Sequence, residues 1–168
     1  CLRISDCYQA FPLRALVHPR LFLHAVLNYK EQSHRNQKFE QFEKKHMTFS
    51  EKLDKKALPH VADRYDAYIV GSDQVWNPLI TGGDSAYFLD FVKDRQKKFA
   101  YAASFGVSSW PVGYPSAGKM LEDFRAISTR KKTWEGIVRA VTEKMPPLSV
   151  SVDPVFLLGR AIWQHFVK

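Results

Sequence analysis

The sequence predicts an α/β domain built on a parallel β-sheet, and two observations carry that prediction. The first is a set of four short apolar runs, each ending in a small or polar cluster. They are residues 65–70 before Gly71-Ser72-Asp73, 99–103 before Ser104-Phe105-Gly106, 124–127 before Ser128-Thr129-Arg130, and 148–152 before Asp153-Pro154. Each is too short for a stable helix, and aromatic or branched residues such as Tyr68, Ile69 and Val70 favour a strand. The second observation is their spacing. The runs begin roughly 24 to 34 residues apart, which leaves room for the crossovers of a dozen or more residues that parallel neighbours require. A sheet of at least four parallel strands with helices on both faces is the expected architecture.

In chain order, residues 1–60 read as a mainly helical front segment. Between residues 21 and 47 apolar side chains fall at Leu23, Val26 and Leu27 and then thin out to Phe39 and Phe42. The three-residue step between those two rings puts them on one helix face, where they are expected as buried anchors against the sheet. Residues 50–56 are charged and read as a solvated loop or short helix ending near Pro59. Residues 61–158 hold the four strands. Gly71 gives the backbone freedom to turn after the first, and Ser72 or Asp73 is placed to cap the next element. Ala100, Ala102 and Ala103 leave space for a helix or a ligand to approach the second. Residues 133–142 (TWEGIVRAVT) form the best crossover helix, with Thr133 as N-cap and Trp134, Ile137, Val138 and Val141 on one face. Residues 159–168 begin another helix. At 168 residues the chain has the length of one ordinary domain. Its start at Cys1 and its end inside a helical pattern lead us to expect a fragment.

The net charge of +8, with a pI near 9.5, makes an anionic partner plausible. The excess is spread along the chain, with 11 Lys and Arg against 6 Asp and Glu up to His60 and 14 against 11 after it. No recognition helix, zinc finger or stacking sheet accompanies it, so nucleic acid is not expected as a partner. Two cysteines, Cys1 and Cys7, form no disulfide framework and point to a reducing compartment. The scattered His residues predict no metal site. The longest apolar stretch, residues 11–27, is broken by Pro12, Arg14, His18, Pro19, Arg20 and His24 and does not read as a bilayer span. Cytoplasmic residence is the expectation.

Ligands of parallel sheets bind beyond the carboxyl ends of the strands. One such edge would collect Ser72, Asp73, Ser104, Arg130 and Asp153, a set able to form a site. Each also has a structural reading: a cap for Ser72 or Asp73, a turn at Asp153-Pro154, a surface cation at Arg130. No GxGxxG turn, Walker lysine loop or Ser-His-Asp spacing chooses between them.

A resemblance adds what these residues leave open. The string IVGSDQVWNP from Ile69, followed by YFLDFV from Tyr87 and AYAASFG from Ala100, is similar to the polysaccharide pyruvyl transferase family. FRAISTRKK from Phe124 is similar to its F-x-x-ISVRE segment, and SVDPVFLL with Trp163 to its DPVFLL-x-x-x-x-W segment. The blocks occur in the family's order over residues 65–163. Lys131 stands where the family has an acidic residue, and residues 110–119 are irregular. The family's opening strand and glycine-containing loop would lie before Cys1, and its C-terminal domain would follow Lys168.

The resemblance implies a Rossmann-like domain, the incomplete N-terminal half of a glycosyltransferase-B-like two-domain fold. It implies transfer of pyruvate from phosphoenolpyruvate to sugar hydroxyls as a ketal, in capsule, exopolysaccharide or cell-wall glycan synthesis. Phosphoenolpyruvate would be the donor substrate, with no cofactor. Partners would be a sugar or glycan acceptor and, for a protein at the inner membrane face, that surface or a lipid-linked glycan. Asp73 would be the catalytic, acceptor-side carboxylate, binding paired hydroxyls or acting as base if burial disfavoured its charge. Gly71, Ser72, Ser104 and Arg130 would bind substrate, Arg130 through a fork suited to carboxylate or phosphate. A non-catalytic sugar-binding or scaffold homologue and a nucleotide-sugar glycosyltransferase are the alternatives on the same architecture.

Overall fold

The computed structural model of the chain describes residues 3–4, 29–111 and 117–166. Cys1, Cys7 and the apolar stretch at 11–27 lie outside the described residues. The chain divides into two compact units, Cys1–Ala57 and Leu58–Lys168.

In the first unit, strand β1 (Arg3–Ile4) pairs in parallel with β2 (Lys52–Leu53), in the register Arg3 with Lys52 and Ile4 with Leu53. The expected loop or short helix at residues 50–56 therefore contains a strand instead. Two paired residues leave no periodicity for sequence to reveal. Helix α1 spans Tyr29–His46. Its Phe39 and Phe42 are 62% and 43% exposed, which corrects the expectation that both are buried. The rings do share a face, but the residues around them are Lys, Glu, Gln and His, so the apolar stripe is too narrow to hold a core contact. Phe42 rests on the ring of His46, one turn on, at 4.7 Å.

The second unit is a four-stranded parallel sheet in the order β3 (Tyr68–Val70), β4 (Lys98–Ala103), β5 (Ala126–Thr129), β6 (Leu148–Val150). All four expected strands are present, trimmed or shifted by one to three residues. The short helix α2 (Pro78–Thr81) lies between β3 and β4, α3 (Gly118–Glu122) between β4 and β5, and α4 (Lys132–Val141) between β5 and β6; α5 (Arg160–Phe166) follows. Helix α4 starts one residue before the expected Thr133 cap, and Lys131 at its N-cap makes no side-chain capping bond. Its face of Trp134, Ile137 and Val138 is buried as expected.

A sheet whose strands follow one another in order, joined by right-handed crossovers, receives its helices on one face. The burial pattern follows that rule. Tyr68, Val70, Ala100, Ala102, Ile127 and Thr129 are buried, whereas Ile69, pointing to the other face, is 68% exposed. Among the described residues of this unit the buried core thus lies against one face of the sheet.

Two devices shape the carboxyl edge. Gly71 has φ +123°, and a Cβ placed on it would come within 2.1 Å of the Tyr101 carbonyl oxygen, so only glycine lets β3 run into its loop against β4. In β4, the register shifts between Ala100 and Ala103, and Ala102 takes φ +51°. This bulge would strand backbone groups, but Ser128 of β5 supplies them. The Ala102 N–H donates to Ser128 Oγ at 3.0 Å, and Ser151 Oγ donates to the same oxygen at 2.9 Å. The bulge re-aims β4 just ahead of Ser104.

The core is aromatic. Trp76 is fully buried and stacks nearly parallel on Phe88 at 5.6 Å, with Phe105 at 5.2 Å and Phe124 at 5.6 Å around it. Its indole N–H donates to the Tyr87 carbonyl at 3.0 Å.

Replacing Gly71 with Ala should cost about 2–4 kcal/mol, the sum of a disfavoured φ and a backbone clash. Gly82→Ala is the matched control, with φ +65° but no atom within 4 Å of the new Cβ, and should cost about 1 kcal/mol. Urea unfolding of both variants tests this; equal losses would show that Gly71 is held by conformation alone.

Candidate functional site

Three of the four carboxyl ends of the sheet converge on one side chain. Arg130 follows directly on β5, and its fork reaches across to the loops after β3 and β6. One terminal nitrogen, Nη2, meets Asp73 Oδ1 at 2.9 Å; the other, Nη1, meets Asp153 Oδ2 at 2.8 Å. The third donor, Nε–H, is buried and has no hydrogen-bond partner. The guanidinium carbon stands 5.8 Å from the ring centre of Trp134, four residues on in the first turn of α4, a distance at which ring and cation attract.

The two carboxylates are held differently. Asp153 is 28% exposed in its side chain and uses both oxygens, Oδ2 for Arg130 and Oδ1 to accept from the Val155 N–H at 3.1 Å. It caps the short 3-10 turn Pro154–Leu157. Asp153 thus serves the turn with one oxygen and the Arg130 cluster with the other. Asp73 sits at φ +65°, and its side chain is 77% exposed. The burial that a general-base role would need is absent there.

Beside this triad opens a cavity of about 920 Å³, walled by Gln74, Ser104, Arg130, Trp134, Asp153 and Phe156 among others. Ser104 belongs to the wall but is spoken for. Its carbonyl accepts from the Trp76 N–H at 3.1 Å, and its hydroxyl accepts from the Gly106 N–H at 3.3 Å. Gly71, Ser72 and Asp73 are not among the residues that line the cavity. Asp73 reaches Arg130 from the rim, while Gly71 serves the backbone packing against Tyr101.

Sequence reading missed three contributors. Gln74 lines the cavity and accepts from Asn77 Nδ2 at 2.7 Å. Trp134 was expected only as a core residue of its helix; its place in the first turn after Arg130 was the available signal. Lys131 counted only as a departure from a pattern, yet its Nζ lies 5.2 Å from the Trp134 ring and it joins the cavity wall.

A second cavity, of about 530 Å³, lies at the opposite, amino edge of the sheet. Two of the cations on its wall are committed to the fold: buried Lys98 to Asp123, and Arg95 to the Phe124 carbonyl at 3.1 Å. Nearby, Glu122 accepts the backbone N–H groups of Lys144 and Glu143, which hold its carboxyl below the usual range.

An Arg with a free N–H, an aromatic neighbour and an exposed counter-ion on the wall of an open cavity can receive a carboxylate or phosphate. Among the described residues, no group of three or more His, Cys, Asp or Glu side chains is placed to hold a metal ion, and no helix is long and apolar enough to cross a membrane.

No curated protein and no solved structure matches the chain. Residues 13–166 match the family described as polysaccharide pyruvyl transferase. That span includes every block from which the triad and the aromatic core are built, and it covers far more than half of the sequence. The chain belongs to the polysaccharide pyruvyl transferase family, a family of transferases.

Proposed function

We propose that this chain carries the acceptor side, and one anion-binding group, of an enzyme that transfers pyruvate from phosphoenolpyruvate to two hydroxyls of a sugar. The product is a cyclic ketal on a capsule, exopolysaccharide or cell-wall glycan. The single observation that supports this most is the convergence of three family blocks on Arg130, which meets Asp73 of GSDQVWN and Asp153 of SVDPVFLL.

The reaction sets the requirements. A proton is delivered to the terminal enol carbon, two sugar oxygens form bonds to the central carbon, and the bond from that carbon to the phosphate oxygen breaks. Of the two hydroxyl protons, one balances the new methyl group and the other leaves with phosphate. Such a site needs cations for the donor's carboxylate and phosphate, and a group that orients the hydroxyls. Arg130 is suited to the first task and Asp73, exposed at the rim, to the second. Ser104 supports the wall. The remaining donor cations and the proton source would come from the second half of a glycosyltransferase-B-like fold facing this edge. A cytoplasmic protein, soluble or resting on the inner membrane face, would meet a lipid-linked glycan there.

The test uses the natural gene product that carries this chain. Supplied with phosphoenolpyruvate and a panel of acceptor sugars, it should release phosphate only when an acceptor is present. Release driven by a nucleotide sugar instead would mark a glycosyltransferase, and sugar binding without turnover with any donor would mark a non-catalytic homologue. Arg130→Lys keeps the charge but loses the fork, and should raise the donor KM about tenfold or more; unchanged kinetics would remove Arg130 from the site. Asp73→Asn should lower kcat at least tenfold with a Tm within about 2 °C of wild type, since an exposed pair contributes ~1 kcal/mol or less to stability. A large Tm loss with proportionate activity would identify Asp73 as a structural residue.

A further inference from the structure

Arg130 has two counter-ions, and they are not equivalent. Asp153 is mostly buried, and its second oxygen is tied to the Val155 N–H, so moving it would uncap a turn. Asp73 is 77% exposed, and its carboxylate pairs with Arg130 from the rim. An exposed ion pair is weak, because water and salt screen it and the side chain loses freedom in making it. The same Arg presents a buried Nε–H with nothing to bind, beside an open cavity. A planar guanidinium binds an anion best through two adjacent donors, and Nε with Nη2 is one such pair of donors. In the structure the Nη2 half of that pair is occupied by Asp73.

We infer that Asp73 is a displaceable stand-in for an anionic ligand, and that Asp153 is the permanent positioning residue for Arg130. An arriving carboxylate or phosphate takes Nη2 and Nε–H together, and Asp73 swings out to the rim. Asp153 keeps Nη1 and so keeps the fork aimed. Exchange of one anion for another at a fixed cation leaves no buried charge unpaired at any stage, which makes the step inexpensive. Its consequence is an order of binding: Asp73 is free to face sugar hydroxyls only after the anion has arrived. The inference rests on the reading of Arg130 as an anion-binding group.

The experiment measures the affinity of the 168-residue chain and its variants for phosphoenolpyruvate by isothermal titration calorimetry and, in the proteins that keep Arg130, follows its Nε–H resonance by NMR. Asp73→Asn is conformationally mild, because Asn tolerates positive φ well. It should tighten binding about two- to fivefold, the range that loss of an exposed competing pair allows. Asp153→Asn keeps an oxygen for the Val155 N–H but no charge for Arg130. It should weaken binding about fivefold or more, with the fold intact by circular dichroism. In an Arg130→Gln background the gain from Asp73→Asn should vanish, as the double-mutant cycle requires.

A gain that persists in that background would show a general field effect and overturn the inference, as would Asp73→Asn that weakens binding or leaves it unchanged. Should Asp153→Asn bind as wild type, its positioning role fails. Arg130→Gln that binds phosphoenolpyruvate as wild type does, or an Nε–H resonance that stays in place in every protein that keeps Arg130, would sink the underlying reading of Arg130 as well. In contrast, a loss of affinity in Arg130→Gln without the expected Asp73 effect would sink the exchange alone.

Discussion

The second unit depends on the burial of Trp76. Its indole is surrounded by Phe88, Phe105 and Phe124, rings from three separate stretches of the chain, and its backbone N–H holds the Ser104 carbonyl at 3.1 Å. Aromatic pairs of this kind are worth about 0.5–1.5 kcal/mol each beyond their burial. Three of them on one residue fix the loop after β3 to the loop after β4 and to the entry of β5. The first two segments present Asp73 and Ser104, and β5 carries Arg130 at its far end. The family blocks therefore meet twice, once in apolar contact beneath the sheet edge and once in charge pairing above it. Much of GSDQVWN serves the lower meeting: Gly71 for close approach to Tyr101, Asn77 as the N-cap of α2 accepting from Leu79 N–H at 3.0 Å, Trp76 as the anchor. Gly106 belongs to it too, since a Cβ there would overlap Gln74 and Asn77.

That division explains what was legible in the sequence. The four strands were legible because short apolar runs and their spacing encode a parallel sheet directly. The edge that gathers Asp73, Arg130 and Asp153 followed from topology, since all three sit just past a strand's carboxyl end. The state of Asp73 was not legible: a carboxylate next to a glycine turn gives no sign of whether it is buried, and here an Arg brought from 57 residues away is its partner. Phe39 and Phe42 show the opposite limit. Period 3.6 reports which residues share a helix face but not whether anything apolar lies across from them. The bulge in β4 was hidden for a third reason. Ala100, Ala102 and Ala103 signalled room for close approach, but small side chains do not announce that the backbone bulges among them or that a hydroxyl of the neighbouring strand, Ser128, takes up the Ala102 N–H.

The two edges of the sheet put cations to different uses, and comparing them locates the binding capacity. At the amino edge Lys98 is 3% exposed in its side chain and is matched to Asp123. Desolvating an ammonium costs several kcal/mol, which a single well-placed carboxylate recovers only if it stays. That pair is a brace between β4 and the approach to β5, and any ligand drawing Lys98 away would strand the buried charge. At the carboxyl edge the cation is a guanidinium, more weakly hydrated and 26% exposed, with its five donors spread over three nitrogens. Removing one carboxylate from it leaves the charge paired through Asp153 and flanked by the Trp134 ring. The physical difference between a fold-stabilising cation and a ligand-binding one lies here in spare donors and a second partner, more than in burial. By that criterion Arg130, and not Lys98, is where an incoming anion finds a place already made.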